Sequence, residues 1–191
     1  MMININDIFS VNMEDDSYYD LLDNICSSKL NQKEIISYIK KNILTKEQKE
    51  KIFFLLSELY ELPLENLHNL DFIELYEWLL NEMFDKKNYD YSNGYRFVHL
   101  LKHIKGNDKC VYNDVVNRIN IDDPMSVRIA ITSTYKNDFY KYPDVMDLFF
   151  EKIIQSLKNK HKEKEIRNDF NNFLKEYLVM KNYKKYKTYF R

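Results

Sequence analysis

Between Asn31 and Met83 the apolar side chains recur at intervals of three and four behind three similar starts. Asn31 and Glu34 precede Ile35, Ile36 and Ile39. Thr45 and Gln48 precede Ile52, Phe53, Leu55, Leu56, Leu59 and Tyr60. Asp71 and Glu74 precede Leu75, Tyr76, Leu79, Leu80 and Met83. In each start a small polar side chain can accept from a first-turn amide that has no helical partner. The residue three positions on can return the bond. The pattern predicts three amphipathic helices in succession.

The remaining chain continues the theme. Residues 15–26 carry Tyr18, Tyr19, Leu21, Leu22 and Ile25 at helical spacing, and residues 86–94 are a polar loop. A helix from Tyr95 is expected to end at Gly106, where a left-handed residue can close it. Val111, Val115, Val116 and Ile119 mark a short helix, and Pro124 behind Asp123 marks a first helical turn. Pro143 opens the last segment, with Val145, Met146, Leu148, Phe149, Ile153, Ile154 and Leu157 as its apolar positions. Residues 158–165 have no apolar side chain, and the stripe resumes at Ile166, Phe170, Phe173, Leu174, Tyr177 and Leu178. That gap is either a solvated turn or a break between two helices. With neither Gly nor Pro in it, 143–178 reads as one long helix. Strand character is confined to the β-branched residues of Val127–Thr134, which lie between a helix start and a polar loop. The fold class expected is all-α, a single domain over 1–191 with about seven to nine helices, arranged as a short solenoid or an irregular bundle.

Composition narrows the chemistry. The 191 residues include only 2 Gly and 3 Pro. Gly94 and Gly106 alone cannot build a glycine-rich phosphate loop, a dinucleotide fingerprint or a nucleophile elbow. Cys26 and Cys110 stand far apart and read as reduced core thiols. The first ten residues lack the basic-then-apolar pattern of a secretion signal, and no run approaches the ~18 apolar residues of a membrane span. These features suggest a cytoplasmic protein without a membrane partner. No paired carboxylates, Cys–His or Ser–His–Asp arrangement stands out, and no cofactor is implied.

The segment Asp122–Ile131 carries Asp123-Pro124, two variable residues, Val127-Arg128, one variable residue and Ala130. It resembles the start of the second helix of a HEAT-type repeat. In that pattern Asp caps, Pro fixes the first turn, Val packs inward and the small Ala lets a neighbouring helix approach. The preceding helices, 95–105 and 109–119, would form an adjacent pair. The resemblance implies a recognition scaffold and no chemistry of its own.

His99 and His103 are one helical turn apart and can share a metal, with Cys110 or Asp108 as a third ligand. Phe97, Leu100, Leu101 and Ile104 define the core side, which turns both histidines to solvent, and no metal is assigned. Arg96, six residues and His103 resemble the R-x4–6-H motif of HEPN ribonucleases, all-helical enzymes whose paired protomers cleave RNA without metal. Phe97 and Val98 depart from that motif, which commonly has a polar residue after the Arg. The resemblance implies Arg96 and His103 as catalytic residues.

Net charge is only −1, but it is unevenly spread. Residues 1–90 sum to −9, 91–150 to +1 and 151–191 to +7. Abundant Lys, Asn, Ile and Tyr also match AT-rich codons, which contribute to composition without any functional selection. The basic stretch 181–191 interleaves Lys181, Lys184, Lys185 and Lys187 with Tyr183 and Tyr186. That pattern suits single-stranded nucleic acid or a tail folded onto the acidic half. In the acidic half, Glu14, Asp15, Asp16, Glu74 and Glu77 offer a surface for a basic partner. Tyr18, Tyr19, Tyr60, Tyr76 and Trp78 are anchors wherever they are exposed.

The expected function is a non-enzymatic binding protein, most concretely an immunity protein that neutralises a toxin such as a basic nuclease. Small helical immunity proteins share this general character. The alternatives are a HEPN-like ribonuclease, a helical-repeat protein binding nucleic acid through its tail, and a poxviral Bcl-2-like decoy. The absence of a C-terminal apolar anchor counts against the membrane-bound kind of decoy.

Overall fold

A computed structural model describes residues 5–27, 32–61, 72–87, 94–134, 138–158 and 164–177. The described residues form ten α-helices and one 3-10 turn, with no strand. The all-α expectation holds. The Thr45 start is a reciprocal cap: the Thr45 amide donates to Gln48 Oε1 (3.0 Å), and the Gln48 amide donates to Thr45 Oγ1 (3.2 Å). The caps expected at Asn31 and Asp71 lie outside the described residues. The helices behind them begin at Gln32 and Phe72.

The chain divides into two compact units, Met1–Glu77 and Trp78–Arg191. The boundary falls inside one helix, at a point with no glycine, proline or polar run to mark it. In the first unit, α1 (Ile5–Ser10) packs on α2 (Asp16–Ser27), α3 (Gln32–Lys41) and α4 (Lys46–Glu61), and α2 packs on α4. Its interior is the expected stripe, with Ile35, Ile52, Leu55 and Leu56 buried. The helix α1 has no counterpart in the sequence reading. At six residues it is too short to hold itself, and tertiary contact maintains it: Ile8 is fully buried and Phe9 stacks on Tyr38 at 5.0 Å. A charged side chain also enters this interior. Lys51 is 2% exposed and donates from Nζ to the Val11 carbonyl (2.6 Å), while pairing with Glu47 Oε1 (2.9 Å).

The helix α5 (Phe72–Met83) carries the chain into the second unit. There α6 (Gly94–Lys105) and α7 (Asp108–Asn117) form a tight antiparallel pair joined through Gly106 and Asn107. Gly106 has φ +63°, the left-handed closing residue the sequence calls for, and Asn107 caps α7 by accepting from the Cys110 amide (3.1 Å). The helix α8 (Pro124–Thr134) packs against both α6 and α10 (Lys164–Tyr177), and α7 packs against α9 (Pro143–Lys158). The unit therefore has two layers, α6–α8–α10 and α7–α9. A 3-10 turn, Phe139–Lys141, precedes α9.

Between two neighbours, α8 is buried almost all round. Val127, Ile129, Ala130 and Ile131 are interior, and its β-branched residues form helix because packing overrides their strand preference. The polar side chains are satisfied on the spot. Thr134 Oγ1 donates to the Ala130 carbonyl (2.8 Å), and Ser126 Oγ accepts from the Asn120 amide (3.0 Å). Asp123 caps the helix, accepting from the Met125 amide (3.2 Å), and is paired to Lys86 (2.5 Å). Arg128 Nε joins Asp169 of α10 (2.8 Å).

The single long helix expected over 143–178 is corrected by the ring contacts. Phe150 meets Phe170 at 5.4 Å, and Phe149 meets Phe173 at 5.4 Å. Along one straight helix, residues twenty apart would be about 30 Å apart. The chain folds back instead, and the four phenylalanines with Phe139 form the aromatic centre of the unit. Burial of five such rings is worth about 1.5–3 kcal/mol each. That exceeds what continuing a helix through a fully polar turn can offer.

Candidate functional site

Two surfaces gather the sequence-derived candidates, one in each unit. The first is the turn that leads into α2. Asn12 Oδ1 accepts from the Glu14 amide (3.3 Å) and the Asn12 carbonyl from the Asp15 amide (3.1 Å). The Asp15 carbonyl then accepts from the Tyr18 amide (2.9 Å). This folded turn points Glu14, Asp15 and Asp16 into solvent. Once the helix starts, the four-residue period takes Tyr18 and Leu22 inward and leaves Tyr19, Asp20 and Asp23 outside.

The two adjacent tyrosines therefore part company. Tyr18 is 2% exposed and belongs to the core, so it offers no surface anchor. Tyr19 is 63% exposed, with its ring edge-on to Tyr18 at 5.9 Å. Among the described residues, no side-chain cation pairs with Glu14, Asp15, Asp16 or Asp20. Asp16 lies in the first turn of α2, where the helix dipole favours a carboxylate. That accounts for one of the four charges.

The other acidic candidates are more committed. Glu74 is held by Lys40 Nζ (2.5 Å), Glu77 is exposed, and Trp78, already in the second unit, is half-buried. Tyr76 is core, and the Tyr60 side chain lies outside what is described. Unit by unit, the charge separates cleanly. Met1–Glu77 contains 15 acidic and 7 basic residues, a net −8, and Trp78–Arg191 contains 15 acidic and 22 basic, a net +7.

The second surface is the outer face of α6. Arg96, His99 and His103 are all exposed, at spacings of three and four, while Val98, Leu100 and Leu101 are buried behind them. No carboxylate lies on this helix. Arg96 and His103 are two turns apart, about 10 Å along the axis, which is too far for a direct bond. The Arg96 guanidinium rests over the Tyr95 ring (5.9 Å) and donates from Nε to Tyr95 Oη (3.3 Å). The histidine rings converge, with Nε2 to Nε2 at 3.1 Å and centroids 4.5 Å apart. Spacing alone gives their shared face; the convergence of the two nitrogens is visible only in three dimensions.

Neither residue named as a third metal ligand takes that part. Asp108 is held by Lys102 Nζ (2.7 Å), which also sits over the Tyr112 ring (5.4 Å). Cys110 is a free thiol and exposed, contrary to the expectation of a core position. Among the described residues no group of three or more His, Cys, Asp or Glu converges. None of the described helices is long and apolar enough to cross a membrane. Lys181, Tyr183, Lys184, Lys185, Tyr186 and Lys187 lie outside the described residues.

No protein-family model matches the chain, and no curated protein or solved structure matches it significantly.

Proposed function

We propose that this chain is a non-enzymatic binding protein whose acidic unit docks a basic protein partner, most concretely an immunity-type inhibitor of a basic toxin such as a nuclease. One observation carries the reading: Glu14, Asp15, Asp16 and Asp20 are exposed on the same short stretch of chain as the exposed Tyr19, and among the described residues no side-chain cation pairs with them. Four exposed carboxylates within seven residues build a negative field that reaches about one Debye length, roughly 8 Å in physiological salt. Such a field accelerates the encounter with a cationic surface. A large, rigid, amphipathic ring on the same stretch of chain is the kind of side chain that often anchors a docked state. The helical layers α6–α8–α10 and α7–α9, with the Asp123–Ala130 segment at their centre, support reading the second unit as a HEAT-like scaffold.

The test is to recover the tagged chain from its native cells together with whatever binds it. The expected result is one stoichiometric protein of basic charge, released by the variant E14Q/D15N/D16N/D20N and by Y19A. Toxicity of that protein should be suppressed by the wild type and not by the variants. Co-elution of nucleic acid with no stoichiometric protein would overturn the reading.

A further inference from the structure

We propose that His99 and His103 form an open two-histidine chelate on α6 for one late first-row divalent metal ion. The first support is placement. Residues four apart on a helix stand one above the other on the same face, and both rings are exposed, so an ion can reach them from solvent.

The second support is distance. The two Nε2 atoms are 3.1 Å apart. Metal–imidazole bonds of about 2.0–2.1 Å separate two nitrogen ligands by about 3.3–3.4 Å around a tetrahedral ion. Around a square-planar or octahedral ion, adjacent nitrogens are about 2.8–3.0 Å apart. The observed separation falls between these values, so either geometry is reached by a small side-chain rotation.

The chemistry selects the ion. Neutral imidazole suits Cu2+, Ni2+ and Zn2+, and affinity at a site of given ligands rises towards copper. Mg2+ and Ca2+ prefer oxygen ligands, and α6 carries no carboxylate. Asp108 is engaged by Lys102, and no third ligand converges among the described residues. Arg96 and Lys105 on the same helix oppose a cation, so the affinity is that of a surface chelate and well below that of a closed structural site.

Titration calorimetry of the untagged full chain with NiCl2 and CuCl2 tests the proposal. The chain has four histidines, and H68N/H161N serves as the control. Wild type and control are expected to bind one ion per chain with equal affinity. H99N and H103N should each weaken binding roughly tenfold or more, because each removes one arm of a chelate. Ni2+ should also raise the melting temperature of wild type but not of H103N, since an ion bound only to the folded chain stabilises it. Absence of wild-type binding, unchanged affinity in either single variant, or loss of binding in the control would each overturn the proposal.

Discussion

At Gly106 the backbone takes φ +63°, and a Cβ added there would meet nothing within 4 Å. Any cost of substitution is thus purely conformational. G106A is expected to destabilise the chain by about 1 kcal/mol and G106N by less, measured by urea unfolding, because Asn tolerates the left-handed region better. Lys51 poses a different problem. Its buried ammonium is held by the Val11 carbonyl and by Glu47, which is itself largely exposed. E47A should cost about 1–2 kcal/mol by leaving the buried charge with the Val11 carbonyl and no counter-ion, whereas E50A at a looser exposed pair should stay within about 0.5 kcal/mol. The glycine was legible in the sequence because one residue type fits that backbone. Lys51 was not, because a lysine on an amphipathic helix ordinarily faces water. Tyr18 and Tyr19 were equally open as anchors until the direction of α2 was fixed.

At the scale of elements, local signals named the helices and long-range packing decided where they stop. Thr45 with Gln48 and Asp123 with Pro124 announce their helices through bonds made within a few residues. The reversal between α9 and α10 has no such announcement. It follows from Phe149 and Phe150 meeting Phe170 and Phe173, which no sequence period reveals. The helix α1 is legible only in hindsight, in the spacing of Ile5, Ile8 and Phe9. Ala130 is a fully buried small residue of α8, which packs on both α6 and α10. A130L is expected to destabilise by about 1–3 kcal/mol through overpacking, with a matching fall in the urea midpoint. An unchanged midpoint would mean that the layer has slack at this position.

For the whole molecule, near-zero net charge conceals two units of −8 and +7. A chain so divided should be retained at low salt by both anion- and cation-exchange resins near neutral pH. E14Q/D15N/D16N/D20N should elute earlier from the anion exchanger while its elution from the cation exchanger is not weakened. Elution of the wild type in the flow-through of either resin would show that one charge set is neutralised internally. The charge gradient itself was legible from simple counting. The unit boundary was not, because it falls within a continuous amphipathic helix. The convergence of His99 and His103 was half legible: periodicity supplies the shared face, and only the fold supplies the distance.

The seat of Lys51 has one more consequence. Amine-acylating reagents need an accessible lysine nitrogen, and Lys51, 2% exposed with Nζ bonded to the Val11 carbonyl, offers none. In a brief acylation followed by peptide mapping, exposed Lys40, Lys41 and Lys46 should be modified while Lys51 stays intact, until denaturant opens the first unit. A single residue thereby becomes an internal reporter of that unit's integrity, readable without a partner, an activity or a label.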